Sequence, residues 1–109
     1  MARQQEHRIG RLAEIPPGEG RTYEVAGRRV AVFRTRAGQV FATQAECPHR
    51  SGPLADGLLG GTTVVCPLHD RSWDLATGAP AANSDCPIAV YPIRAAEDGT
   101  LVLAAVPAA

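Results

Sequence analysis

The chain has 109 residues, 45% of them hydrophobic and 20% charged, which fits one compact globular domain spanning residues 1–109. Eleven basic residues offset eleven acidic ones, and this balance argues against nucleic acid or an anionic membrane as a partner. No apolar stretch approaches the roughly 20 residues that a spanning helix needs, so we expect a cytoplasmic protein without a membrane anchor.

Short segments of alternating or β-branched residues follow one another along the chain, and each predicts a strand. They are residues 7–12, 22–25, 29–34, 40–43, 62–65, 88–94 and 100–103. Turn formers separate several of them, at Pro16-Pro17-Gly18, Ala26-Gly27, Ala37-Gly38 and Asp98-Gly99. Because no segment shows a helical period longer than about three turns, the sequence predicts a mostly antiparallel β domain, a sandwich or small barrel.

Residues 45–87 differ from the rest because Gly and Pro interrupt them often, and they contain all three Cys and two of the three His. A loop-rich insertion of this length needs an anchor beyond its own apolar side chains. Within it, Cys47-Pro48-His49 and Cys66-Pro67-Leu68-His69 form a short quasi-repeat. A metal site built from these two loops would anchor the insertion.

Each of the two loops offers one thiolate and one imidazole, from Cys47 and His49 and from Cys66 and His69. This mixed set suits zinc, or an iron-sulfur centre in which two His replace two Cys on one iron. Zinc modules usually pair Cys with Cys and His with His, so zinc fits the spacing poorly. Three cysteines cannot all pair in disulfides, and we expect Cys86 to be a thiol outside the ligand set.

The spacing of these ligands resembles that of a known family. Residues 47–50 read C-P-H-R, residues 66–69 read C-P-L-H, and sixteen residues separate His49 from Cys66. With Ser51-Gly52-Pro53-Leu54, Gly57 and the run W-D-L-A-T-G at 73–78, they resemble the two ligand loops of the Rieske family. The resemblance implies an antiparallel β-sandwich, with a base of about 5–44 and 87–106 and an inserted cluster-binding subdomain of about 45–86.

The resemblance also implies the cofactor and the activity. It implies one 2Fe-2S cluster per chain, with Cys47 and Cys66 on the inner iron and His49 and His69 on the outer iron. The expected function is that of a ferredoxin that carries one electron from a reductase to a terminal oxygenase and catalyses no reaction itself. The small subunit of an assimilatory NAD(P)H-dependent nitrite reductase is an alternative within the family, and a zinc-stabilised binding module is an alternative outside it.

Departures from the family pattern bear on the reduction potential. High-potential members carry an additional Cys in each loop, and this chain lacks both. They also carry a Ser two residues and a Tyr four residues after the second His, where this chain has Arg71 and Trp73. The resemblance therefore implies a potential near the low end of the Rieske range, about −150 mV. We expect Trp73 to be a packing residue beneath the second loop, and Asp74 to be a solvated charge.

Overall fold

The computed structural model describes residues 6–48, 52–66, 71–81 and 86–104. These residues form short strands and two 3₁₀ turns, at Leu12–Glu14 and Leu54–Asp56. The strands are β1 (Glu6–Arg11), β2 (Glu19–Val25), β3 (Arg28–Arg34), β4 (Val40–Gln44), β5 (Leu58–Gly60), β6 (Thr63–Val65), β7 (Ser72–Asp74), β8 (Val90–Tyr91), β9 (Ile93–Ala95) and β10 (Thr100–Ala104). The predicted mostly β fold is confirmed.

The strands are arranged in three antiparallel sheets. One has the order β1-β10-β9, the second β2-β3-β4-β8, and the third, smaller sheet β5-β6-β7. All the predicted strands except the one at 62–65 lie in the first two sheets, and that one is β6 of the third sheet. The third lies in the loop-rich insertion, between Cys47 and Cys86 in sequence.

The predicted turns lie where glycine is needed. Ala26 and Gly27 have φ values of 53° and 77° between β2 and β3, the left-handed pair that a tight hairpin requires. Gly99, at φ 87°, ends the turn between β9 and β10. These turns fix the registers of the strands on either side of them.

Two features differ from the sequence prediction. The expected strand at 88–94 is two strands, β8 and β9, because Pro92 lies between them and has no backbone N–H for a ladder. The strands β5 and β7 were not predicted, since each has only three residues and its pairing is set by its neighbour β6.

Strand β3 separates two buried cores. Val30 and Val32 face the base core, and Ala31 and Phe33 face the other way, because successive side chains of a strand alternate in direction. The base core consists of Ile15, Val25, Val30, Val32, Ala42, Tyr91, Leu101 and Leu103. The second core, which we call the cysteine core, consists of Ala31, Phe33, Cys47, Leu54, Ala55, Val64, Cys66, Trp73, Leu75 and Ile88.

Among the described residues, no helix is long and apolar enough to cross a membrane.

Candidate metal centre

Two of the predicted ligands are buried together. Cys47 is 2% exposed and Cys66 is 1% exposed, and both belong to the cysteine core. Neither forms a disulfide. The sequence placed these thiols in separate loops, and the fold brings them into one apolar cluster. Two buried thiols of this kind are the donors that iron-sulfur clusters use.

The first cysteine lies at the entrance of a loop that main-chain hydrogen bonds close. The Cys47 amide donates to the carbonyl oxygen of Gly52 at 2.7 Å. One step further out, Glu46 and Pro53 form an isolated antiparallel bridge. A further step out, the Leu54 amide donates to the Ala45 oxygen at 2.9 Å. The loop is therefore held as a short hairpin whose closing bond involves a candidate ligand.

The second cysteine has the same frame. The Cys66 amide donates to the Arg71 oxygen at 2.6 Å, which again joins residues five apart. The next pair outward is Val65 with Ser72, and the one beyond it is Val64 with Trp73. The quasi-repeat seen in the sequence is thus also a repeat of backbone geometry.

Both predicted histidine ligands, His49 and His69, lie outside the described residues, within the sequence that the two frames enclose. Asp70, next to His69, also lies outside them. The structure consequently describes the two thiols and the frames, and the assignment of the imidazoles stays a prediction.

Gly57 brings the two frames together. A Cβ on this residue would collide with the carbonyl oxygen of Val65, which directly precedes Cys66. Only glycine allows the backbone between β5 and the 3₁₀ turn at Leu54–Asp56 to approach β6 so closely. This contact places the outgoing chain of the first loop against the strand that carries the second cysteine.

Trp73 is 1% exposed and packs in the cysteine core, so its predicted packing role is confirmed. The sequence did not indicate its polar contact: the indole N–H donates to the carbonyl oxygen of Cys86 at 2.7 Å. Cys86 itself is exposed and forms no disulfide, and its place outside the ligand set stays a prediction.

Asp74 is partly exposed, as expected of a solvated charge, and it also has a structural role that was not predicted. Its carboxylate accepts hydrogen bonds from the Thr77 hydroxyl at 2.9 Å, the Thr77 amide at 3.0 Å and the Thr62 hydroxyl at 3.1 Å. These bonds, with the one from the Thr77 hydroxyl contributing most, lower the pKa of the Asp74 carboxyl. The side chain therefore fixes the turn after β7.

Comparison with known families identifies the architecture. A family model described as "Rieske-like [2Fe-2S] domain" matches residues 7–104. The chain belongs to this family. The predicted Rieske resemblance and the 2Fe-2S cofactor are thereby confirmed, and so is the prediction of an electron-transfer component.

Relatives of this Rieske-like domain support the same assignment. The biphenyl dioxygenase ferredoxin subunit of Pseudomonas sp. (strain KKS102) is 39% identical over 83 residues, which are 74% of this chain and 75% of that protein. The solved structure of the Sphingomonas yanoikuyae B1 ferredoxin is 34% identical, with a TM-score of 0.81 over 91% of this chain and 97% of that one.

A further structural neighbour shares the fold. It is described as a small subunit of NADH-dependent nitrite reductase from Mycobacterium tuberculosis, and it superposes with a TM-score of 0.87. It covers 97% of this chain and 99% of its own, at 23% identity. At this identity the likeness concerns the β architecture alone.

Proposed function

We propose that this Rieske-like domain is the ferredoxin component of an oxygenase system, which takes one electron from a reductase and passes it to a terminal oxygenase. The observation that carries the proposal is the pair of buried thiols, Cys47 and Cys66, in two matched loop frames. The cysteine core thus contains two thiol donors, Cys47 and Cys66, for one iron. We further propose that His49 and His69 hold the second iron.

The choice of an oxygenase system follows from the relatives with the higher identities. The biphenyl dioxygenase ferredoxin subunit and the Sphingomonas ferredoxin are 39% and 34% identical to this chain. A Burkholderia cepacia protein named as an anthranilate 1,2-dioxygenase ferredoxin subunit is 35% identical over 89 residues. The nitrite reductase small subunit stays the second candidate.

The two cores support the proposed division of the chain. The base core joins the two larger sheets, and the cysteine core lies on the other face of β3. We propose a base of about 5–44 and 87–106 and a cluster-binding subdomain of about 45–86, within one domain of residues 1–109. We also place the protein in the cytoplasm, where an exposed thiol such as Cys86 stays reduced.

When bound, the cluster supplies reversible one-electron chemistry. The protein's contribution is to hold the donors and to keep water from the inner side. Leu54, Val64 and Trp73 are each 1% exposed or less and surround the two thiols in the cysteine core. Because these side chains are packed and the frames are closed by backbone bonds, the donors need little rearrangement when the charge changes.

The proposal is tested by visible absorption and low-temperature EPR of the purified protein before and after dithionite. We expect a red-brown protein whose reduced form gives the EPR signal of a cluster with mixed Cys and His ligands. A metal analysis on the same sample should give two irons per chain. A colourless protein with one zinc per chain, even after expression with ample iron and sulfide, would contradict the proposal and favour the zinc module.

We predict a reduction potential near about −150 mV, the low end of the Rieske range. Donors to cluster sulfurs raise the potential, and Trp73 directs its one N–H to the Cys86 carbonyl oxygen. Redox titration followed by EPR measures the value. A potential above roughly +150 mV would show that other donors compensate, and the prediction would be wrong.

A further inference from the structure

The segment of residues 86–89 lies against the second cysteine loop on one side. The Trp73 indole donates to the Cys86 oxygen at 2.7 Å, and the Ile88 amide donates to the Gly78 oxygen at 2.9 Å. Trp73 belongs to β7, which pairs with β6, the strand that leads into Cys66. The segment is thus tied to the element that carries the second cysteine.

On its other side the same segment is tied to the first loop, through Gln44 at the end of β4. The backbone amide of Gln44 donates to the Ala89 oxygen at 2.9 Å, and its side-chain Oε1 accepts from the Ala89 amide at 2.8 Å. The side-chain Nε2 donates to the Glu46 oxygen at 2.7 Å. Glu46 directly precedes Cys47.

The chemistry of position 44 requires an amide. One end of the side chain must accept a hydrogen bond from Ala89, and the other must donate one to Glu46. Glutamine has both functions at this spacing, whereas an ionised glutamate cannot donate and a lysine cannot accept. If the side-chain amide were flipped, its NH₂ group would face the Ala89 N–H and its oxygen would face the Glu46 carbonyl oxygen. Both contacts therefore depend on one orientation of the Gln44 side chain.

The segment also contributes to the core between the loops. Ile88 is 4% exposed and packs in the cysteine core with Cys47 and Cys66. A shift of residues 86–89 would therefore move a side chain that packs in the same core as the two thiols. Hydrogen bonds on both sides and a buried side chain in the middle make this segment a link between the loops.

We propose that residues 86–89 form a brace that fixes the position of one cysteine loop relative to the other, and that Gln44 and Trp73 are positioning residues for the cluster through this brace. The inference rests on the proposed function. It assigns the two side chains a joint role: each reinforces the backbone bonds at one end of the same segment, so loss of either side-chain contact loosens the segment as a whole.

The experiment compares Gln44→Met, Trp73→Phe and the double variant in a cycle. Trp73→Phe removes one hydrogen bond to the brace, and Gln44→Met removes one to Ala89 and one to Glu46. The two Gln44 bonds act in series between the brace and the first loop, so their loss breaks one link. For each single change we therefore expect the cluster to be lost to a chelator about fivefold faster, the ratio for one ordinary hydrogen bond. Because both changes act on one segment, the double variant should remain near fivefold, rather than reach the product of about 25-fold.

Two control variants separate the brace from general destabilisation. Gln39→Met changes an exposed glutamine in the turn between β3 and β4 and should keep the wild-type rate of cluster loss. Leu103→Val reduces packing in the base core, away from Ile88, without a change in hydrogen bonding, and any effect that it has should multiply with that of Gln44→Met. The EPR lines of Gln44→Met should broaden, because the loops then occupy a range of positions.

A second readout is amide hydrogen exchange, measured by mass spectrometry on the cluster-loaded protein. Hydrogen exchange of the Ala89 amide should be about fivefold faster in Gln44→Met, because its acceptor is gone. Gln44→Glu keeps that acceptor, so it should restore protection at Ala89 while the cluster is still lost faster, since the donor to Glu46 is missing.

The outcomes are distinguishable. Cluster loss at the wild-type rate in both single variants, or independent effects that multiply to about 25-fold, would overturn the brace while the proposed function stands. A wild-type protein that binds no cluster would overturn the proposed function and this inference with it. Gln44 and Trp73 would be established as positioning residues by two results together. The effects of the single variants on the rate of cluster loss do not multiply in the double variant, and Gln44→Glu restores the protection of the Ala89 amide from exchange.

Discussion

Replacing Cys66 by serine or alanine should abolish the visible absorption of the protein, whereas Cys86→Ser should leave it unchanged. Cys66 is 1% exposed and shares the cysteine core with Cys47, while Cys86 is exposed to solvent. A serine hydroxyl stays protonated at neutral pH and is a poor ligand for iron, and alanine has no donor atom. Absorption spectra and iron content of the three variants measure the effect.

Circular dichroism of the same samples shows whether the Cys66 variants still fold. Alanine leaves no unsatisfied hydroxyl in the apolar core. The Cys66→Ala variant therefore shows whether any unfolding of Cys66→Ser is caused by its buried hydroxyl. A Cys66 variant that retains a full complement of iron, or a Cys86→Ser variant that loses it, would contradict the ligand assignment.

Gly78→Ala should destabilise the protein far more than Gly38→Ala. Both glycines have φ values in the left-handed region, +79° and +92°, so an alanine costs about 1–2 kcal/mol of backbone strain at either site. At Gly38 a Cβ meets nothing within 4 Å. At Gly78 it collides with the carbonyl oxygen of Ile88, which adds about 1–3 kcal/mol.

Urea unfolding of the two variants and the wild type, all without cluster, gives the free energies of unfolding. We expect a loss of about 2–5 kcal/mol for Gly78→Ala, a large part of the roughly 5–15 kcal/mol typical of a domain. Because the backbone strain is common to both sites, the difference between the two variants isolates the collision. If the free energy of unfolding fell equally in Gly78→Ala and Gly38→Ala, the chain after β7 would be able to move away from Ile88 without cost, and the prediction would be wrong.

The sequence predicted the base of the fold well because its signals are local. The alternation along residues 29–34 and the Ala26-Gly27 turn act within a few residues, and β3 and its hairpin follow from them. The strand β7 could not be predicted in this way. Its three residues are too few to show an alternating pattern, and the strand is defined by its pairing with β6 across the second cysteine loop.

The candidate site likewise contains residues that the sequence predicted and residues that it did not. The residue types and spacing of Cys47 and Cys66 predicted them as ligands, because few other arrangements place a thiol and an imidazole in each of two loops, and the fold places both thiols in one buried core. Gln44 was not identified, and Gly78 was noted only as part of the run at 73–78, with no contact predicted for it. Each acts on residues 86–89, far away in sequence, and neither residue type distinguishes such a contact from an ordinary strand end or turn.

The two cysteine frames are made of main-chain bonds, and this has a consequence for engineering. The bonds from Cys47 to Gly52 and from Cys66 to Arg71 use backbone atoms, so they impose no demand on the side chains of the residues between them. Exchange of those side chains would leave the atoms of both closing bonds in place. We expect that loops of equal length from other metalloproteins can be grafted between the same closing bonds. The engineered protein would then bind a different metal centre on the same β scaffold.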